Sequence, residues 1–178
     1  MIYRRPPILW AAIALVTWIT AGAQPHLSNL LVYGDGFAFA VREPQGWTGD
    51  TTVAADYSAN VIFYSSSAKP DRAGVLIRVS VIDKTDENIQ ADLEADMKGY
   101  RAHYRRISFE DFTACHPTYR TVSKLFAVPG RFYEYVTYVN PGPAKKQLFA
   151  LSMNKQIAEA TSQELAAYRE VLASLSML

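Results

Sequence analysis

The sequence has few of the residue types that build recognisable catalytic and metal sites. Its 178 residues include one cysteine and three histidines. A single cysteine excludes a disulfide within the chain, so side-chain packing has to stabilise the fold. The histidines, His26, His103 and His116, lie in separate segments without HxxxH or HExxH spacing, and no Gly-rich phosphate-binding loop is present. We therefore predict no metal site and no cofactor.

Cys115 and His116 are the one pair that suggests a nucleophile beside its base. Neighbouring residues on an extended strand point to opposite faces, so we do not expect these two side chains to pair. His103 is a more distant candidate base. A lone cysteine is more often inert packing than a nucleophile, and we predict that Cys115→Ala leaves function intact.

Long hydrophobic runs are also absent, except at the start of the chain. Arg4-Arg5 precedes an apolar run over residues 8–19, which is followed by Ala21-Gly22-Ala23. A basic start, an apolar middle and small residues before a cleavage point are typical of a secretory signal peptide. We predict that residues 1–23 are a signal peptide cleaved between Ala23 and Gln24. The mature domain is then residues 24–178, in the periplasm or secreted.

Neither sign of charge is in excess. The chain carries 18 basic and 17 acidic residues, and removal of Arg4 and Arg5 with the signal leaves a net charge of −1. Nucleic-acid-binding domains usually carry a clearly basic face, so we expect no nucleic-acid partner. A spanning helix needs about 20 apolar residues, so we expect cleavage rather than retention of a stable membrane anchor.

The remaining sequence alternates between strand and helix patterns. Hydrophobic residues make up 49% of the chain and aromatic residues 12%, which predicts a folded domain. Strands are predicted at residues 30–33, 37–42, 60–65, 74–83, 118–128, 131–140 and 147–153, and helices at 89–104 and 161–175. Strong turn signals join most strands as hairpins. The prediction is a single α+β domain with a largely antiparallel sheet covered by two helices.

Two clusters are candidate binding surfaces. The first is the basic end of the helix at 89–104, formed by Lys98, Arg101, Arg105 and Arg106. The second is an aromatic strand with Phe132, Tyr133, Tyr135 and Tyr138. Both also have structural explanations, because basic residues complement a helix C-terminus and alternating tyrosines fill a sheet core. If a partner binds, we predict that it binds the basic helix end.

One local motif carries a family resemblance. Gly36-Phe37-Ala38-Phe39 runs into Pro44-Gln45-Gly46-Trp47, and strands, a long helix, a meander and a terminal helix follow. This order resembles the PsbP-like α/β/α sandwich superfamily. Its members include an extrinsic subunit of the oxygen-evolving complex, small bacterial envelope proteins and a nuclear Ran-binding protein. They share docking onto other proteins, so the resemblance implies a non-catalytic accessory role.

The sequence thus predicts an exported accessory protein that docks onto another protein of the cell envelope. Two other classes of function stay open. In a small-ligand carrier, helix and sheet would enclose a pocket, and ligand would copurify with the protein. In an enzyme with an unrecognised site, turnover of a substrate would be measurable.

Overall fold

A computed structural model describes residues 29–85 and 87–178. The predicted signal peptide, its cleavage position between Ala23 and Gln24, and His26 lie outside the described residues. The described part contains, in chain order, β1 (Asn29–Gly34), β2 (Phe37–Arg42), β3 (Trp47–Asp50), β4 (Val61–Ser65), β5 (Val75–Asp83), α1 (Ile89–His103), β6 (Ser108–Asp111), β7 (Arg120–Val128), β8 (Phe132–Asn140), β9 (Gln147–Gln156), α2 (Ser162–Ser174) and β10 (Ser176–Met177). Short 3-10 helices at Ala54–Tyr57 and Pro70–Arg72 flank β4.

The strands form two antiparallel sheets. The large sheet has the order β3-β4-β5-β9-β8-β7-β6, and the small sheet has the order β1-β2-β10. The strands predicted at residues 30–33 and 37–42 form the hairpin β1-β2, and those predicted at 118–128, 131–140 and 147–153 form the antiparallel meander β7-β8-β9. The α+β class is therefore confirmed. β2 is paired on both sides, with β1 and with β10, so it pairs with no strand of the large sheet.

The large sheet is the middle layer of the domain. On one face it packs against α2 and the small sheet, with Phe39, Phe149 and Tyr168 fully buried between them. On the other face it packs against α1, where Leu93 and Phe126 are buried. Alternate side chains along β8 and β9 enter the two cores, as the period of two along a strand requires. Each large apolar side chain buried in this way contributes roughly 1.5–3 kcal/mol.

Capping residues set the ends of the helices. The Thr161 hydroxyl accepts a hydrogen bond from the Glu164 amide, and the Glu164 carboxylate accepts one from the Thr161 amide, so the two residues form a capping box at the start of α2. α1 begins after Asn88, whose side chain accepts from the Gln90 amide. It ends at His103, because Tyr104 adopts an extended backbone conformation.

Three strands are absent from the sequence prediction: β3, β6 and β10. Each has four residues or fewer, too short for an alternating pattern to stand out. Trp47 opens β3, pairs with Ser65 of β4 and packs its side chain against the core.

Candidate binding surface

The basic cluster lies at the end of α1 and continues beyond the helix. Lys98 and Arg101 belong to its last turns, whereas Arg105 and Arg106 follow the C-cap residue Tyr104. Arg105 and Arg106 thus lie just beyond the helix, in the connection to β6. After Tyr104 the backbone turns, and the Ile107 amide donates a hydrogen bond to the Tyr104 carbonyl at 3.3 Å.

All four basic side chains are exposed. Within residues 29–85 and 87–178, none of them has a carboxylate oxygen within 4 Å. The Arg101 guanidinium lies over the ring of Phe109, 4.9 Å from its centre, which holds this cation in place on the surface. We call Lys98, Arg101, Arg105 and Arg106 the cationic surface.

A groove lies beside the last turns of α1. Its volume is about 440 Å³, and it is lined by Arg78, Tyr100, Tyr104, Arg131, Phe132, Glu134, Asn154 and Gln156. α1 covers the β7 and β8 part of the sheet, and the groove lies beside it over residues of β5, β8 and β9. The covered strands present apolar residues such as Phe126 and Val136 to α1, whereas β9 presents Ser152 and Asn154 on this face.

An ion pair between Arg78 and Glu134 forms the floor of the groove. Glu134 projects from β8, and Arg78 reaches it from β5 across the intervening strand β9. On the way, the Arg78 Nε donates to the Ser152 hydroxyl at 3.1 Å. The second carboxylate oxygen of Glu134 accepts from the Tyr100 hydroxyl at 2.5 Å. Both carboxylate oxygens are therefore occupied, and the pair ties α1 to the sheet.

Tyr100 remains protonated in this arrangement. Burial raises the pKa of its hydroxyl, and the adjacent charge of Glu134 together with their hydrogen bond raises it further. A group of this kind donates a hydrogen bond and does not act as a base near neutral pH. The floor is thus a fixed hydrogen-bonded structure, which favours binding over proton transfer.

Sequence reasoning missed this floor. Arg78 alternates with the buried Val75, Ile77 and Val79 of β5, so its place on the opposite face of the sheet was predictable. A signal for Glu134 also exists, because it is the one acidic residue among the aromatic and apolar residues of β8. Its partner lies 56 positions earlier in the chain, and no local pattern connects the two.

The aromatic strand contributes to both sides of the large sheet. Tyr135 faces the core with α2, and its hydroxyl accepts from the Ala160 amide at 3.2 Å. Tyr138 faces α1 and donates to Asp96 at 2.7 Å. Phe132 is buried against the rings of Tyr100 and Tyr104, where it forms one wall of the groove.

The acidic residues of α1 do not form a metal site. Asp92 is buried and accepts from the Thr85 hydroxyl at 2.7 Å, while Asp96 is bonded to Tyr138. His103 is exposed, and its Nδ1 bonds the carbonyl of Gly99. In the part of the chain that the structure describes, no three His, Cys, Asp or Glu side chains converge as metal ligands.

Cys115 and His116 lie in the loop between β6 and β7 and not on a β-strand. Cys115 is exposed. The His116 Nε2 donates to the Leu175 carbonyl at 2.9 Å, and its Nδ1 accepts from the amides of Thr118 and Tyr119 at 3.0 Å. Burial lowers the pKa of this imidazole, and the bond to Leu175 opposes that shift only in part. Both ring nitrogens are occupied by hydrogen bonds to backbone groups, so His116 is not placed to activate Cys115.

Comparison with known proteins leaves the family open. No protein-family model matches the chain, and no curated protein matches it either. The resemblance to the PsbP-like superfamily therefore stays a prediction. No helix in the described ranges is long and apolar enough to cross a bilayer.

Proposed function

We propose that this chain is an exported binding protein that docks onto an acidic surface of another envelope protein through the cationic surface. The observation that carries the proposal is the set of four exposed cations that have no acidic partner among the described residues. Long basic side chains without an internal counterion are free to pair with carboxylates of a partner.

Two further features support this surface. The ring of Phe109 holds the Arg101 guanidinium in place, so less side-chain freedom is lost when a partner binds. Arginine is also enriched at protein interfaces, where its planar group binds carboxylates through two hydrogen bonds. The predicted signal peptide and the resemblance to a docking superfamily agree with the same function.

The test is crosslinking and affinity capture in the native envelope, followed by mass spectrometry. We expect the R101E/R105E double variant to lose about tenfold or more of the captured partner, since each close charge pair across an interface contributes on the order of 1.4 kcal/mol or more. Added salt should weaken capture by the unaltered protein, because it screens exposed charges.

The matched control is R120E/R169E, which makes the same change in net charge. Both residues are exposed, and the Arg169 guanidinium also lies over a ring, that of Phe112. This control should keep its partner, and both double variants should keep their melting temperature. Equal capture by R101E/R105E and the unaltered protein would refute the proposal.

A further inference from the structure

The groove beside α1 contains an arginine whose position is fixed by two hydrogen bonds and which still has one terminal nitrogen without a partner among the described residues. Arg78 is fixed by Glu134 through one terminal nitrogen and by Ser152 through Nε. Its other terminal nitrogen, Nη1, has no hydrogen-bond partner among the described residues, and the side chain is 30% exposed to the groove. A guanidinium fixed in this way offers donors to a ligand with little further loss of freedom.

Three more polar side chains around the same groove have no hydrogen-bond partner and no ion pair among the described residues. Arg131 lies over the ring of Tyr104, 5.3 Å from its centre, and has no carboxylate within 4 Å in the described ranges. The side-chain amides of Asn154 and Gln156 make no hydrogen bond to any described residue. Asn154 is half-buried and Gln156 is exposed, so both amides can reach a molecule in the groove.

The net positive charge of the groove favours an anionic ligand. Arg78 and Arg131 contribute two positive charges against the single negative charge of Glu134, both of whose oxygens are already occupied. Arginine binds carboxylates and phosphates with two parallel hydrogen bonds. The volume of about 440 Å³ lies within the range typical of small-molecule sites.

We propose that this groove binds a small organic oxyanion, a molecule of about monosaccharide size that carries a carboxylate or a phosphate. Arg78 and Arg131 hold the acidic group, and Asn154 and Gln156 bond the neutral polar part. This site is separate from the cationic surface proposed for protein docking. Binding in the groove and capture of a protein partner can therefore succeed or fail independently.

The experiment is titration of the protein, purified after export and in phosphate-free buffer, by calorimetry. The probes are glucuronate, glucose 6-phosphate and uncharged glucose, which share a ring and differ in the acidic group. We expect saturable binding of at least one acidic probe and binding at least tenfold weaker for glucose. Binding of glucuronate alone assigns carboxylates, and binding of glucose 6-phosphate alone assigns phosphates.

Two variants locate the binding. R131A removes the guanidinium that would bind the acidic group, and N154A removes an amide that would bind the neutral polar part. Each variant should weaken binding of the acidic probe about tenfold, the equivalent of roughly 1.4 kcal/mol. R169A removes a guanidinium that lies over a ring outside the groove, and it should bind as the unaltered protein does. The proposal is overturned if neither acidic probe binds saturably, if glucose binds equally well, or if R169A weakens binding as much as R131A.

Discussion

We predict that single substitutions of Arg78 and of Glu134 lower the free energy of unfolding by unequal amounts. Arg78→Met leaves the Glu134 carboxylate without a counterion, and that side chain is only 5% exposed. Glu134→Gln leaves the Arg78 guanidinium without a counterion, but 30% of that side chain is exposed to water. The asymmetry in burial means that Arg78→Met should destabilise the protein more than Glu134→Gln.

The magnitudes follow from what each variant leaves behind. Removing one partner of a buried ion pair costs about 3–5 kcal/mol. For Arg78→Met we expect about 3 kcal/mol, the low end, because Tyr100 still donates to the carboxylate. For Glu134→Gln we expect about 1 kcal/mol, because the amide oxygen of glutamine still accepts from Tyr100 and water solvates Arg78. The double variant should cost less than the sum of the two, since neither charge then remains.

Urea unfolding at neutral pH measures these costs. With a slope of about 2 kcal/mol per molar urea, a loss of 3 kcal/mol lowers the midpoint by about 1.5 M. Two results would refute the reasoning. One is a cost for Glu134→Gln equal to or larger than that for Arg78→Met. The other is a double variant whose cost equals the sum of the single costs within about 0.5 kcal/mol, which would mean that the two side chains are not coupled.

Three further predictions concern other parts of the chain. Thr161→Ala should lower the free energy of unfolding by about 1 kcal/mol in urea, because α2 loses its N-cap, whereas an unchanged midpoint would mean that the capping box contributes nothing. Stability should fall as the pH drops below 6.5 toward the lowered pKa of His116, because the unfolded chain binds the proton more readily than the folded protein does. Urea midpoints measured between pH 7 and 5.5 should show this dependence, and His116→Gln should reduce it. N-terminal sequencing of the exported protein should begin at Gln24, and a chain that still begins at Met1 would contradict cleavage.

The longer elements were predictable because each carries its own pattern. Val75, Ile77 and Val79 alternate along β5, and all three are buried on one face of the large sheet. Thr161 and Glu164 mark the start of α2 with a local pair of hydrogen bonds. The physical cause of each pattern lies within a few residues, so the sequence alone is enough to place these elements.

The short strands were not predictable, because tertiary pairing creates them. β10 has two residues, and it is a strand only because α2 returns the chain to β2, where Ser176 pairs with Ala40. β3 likewise depends on its alignment with β4. The free energy that orders such segments comes from partners distant in the chain.

The two candidate surfaces also differ in whether a local sequence pattern reveals them. The cationic surface comes from four residues within nine positions of the chain, so composition alone revealed it. The groove depends on the width of sheet that a single helix can cover. α1 packs over β7 and β8, and Arg78 of β5 and Asn154 of β9 line the groove beside it. Because Tyr100 and Tyr104 stand at the end of α1, they form the wall of the groove, and Tyr104 also supports Arg131. One helix end therefore positions both surfaces, since Lys98 and Arg101 belong to its last turns and Tyr100 and Tyr104 line the groove.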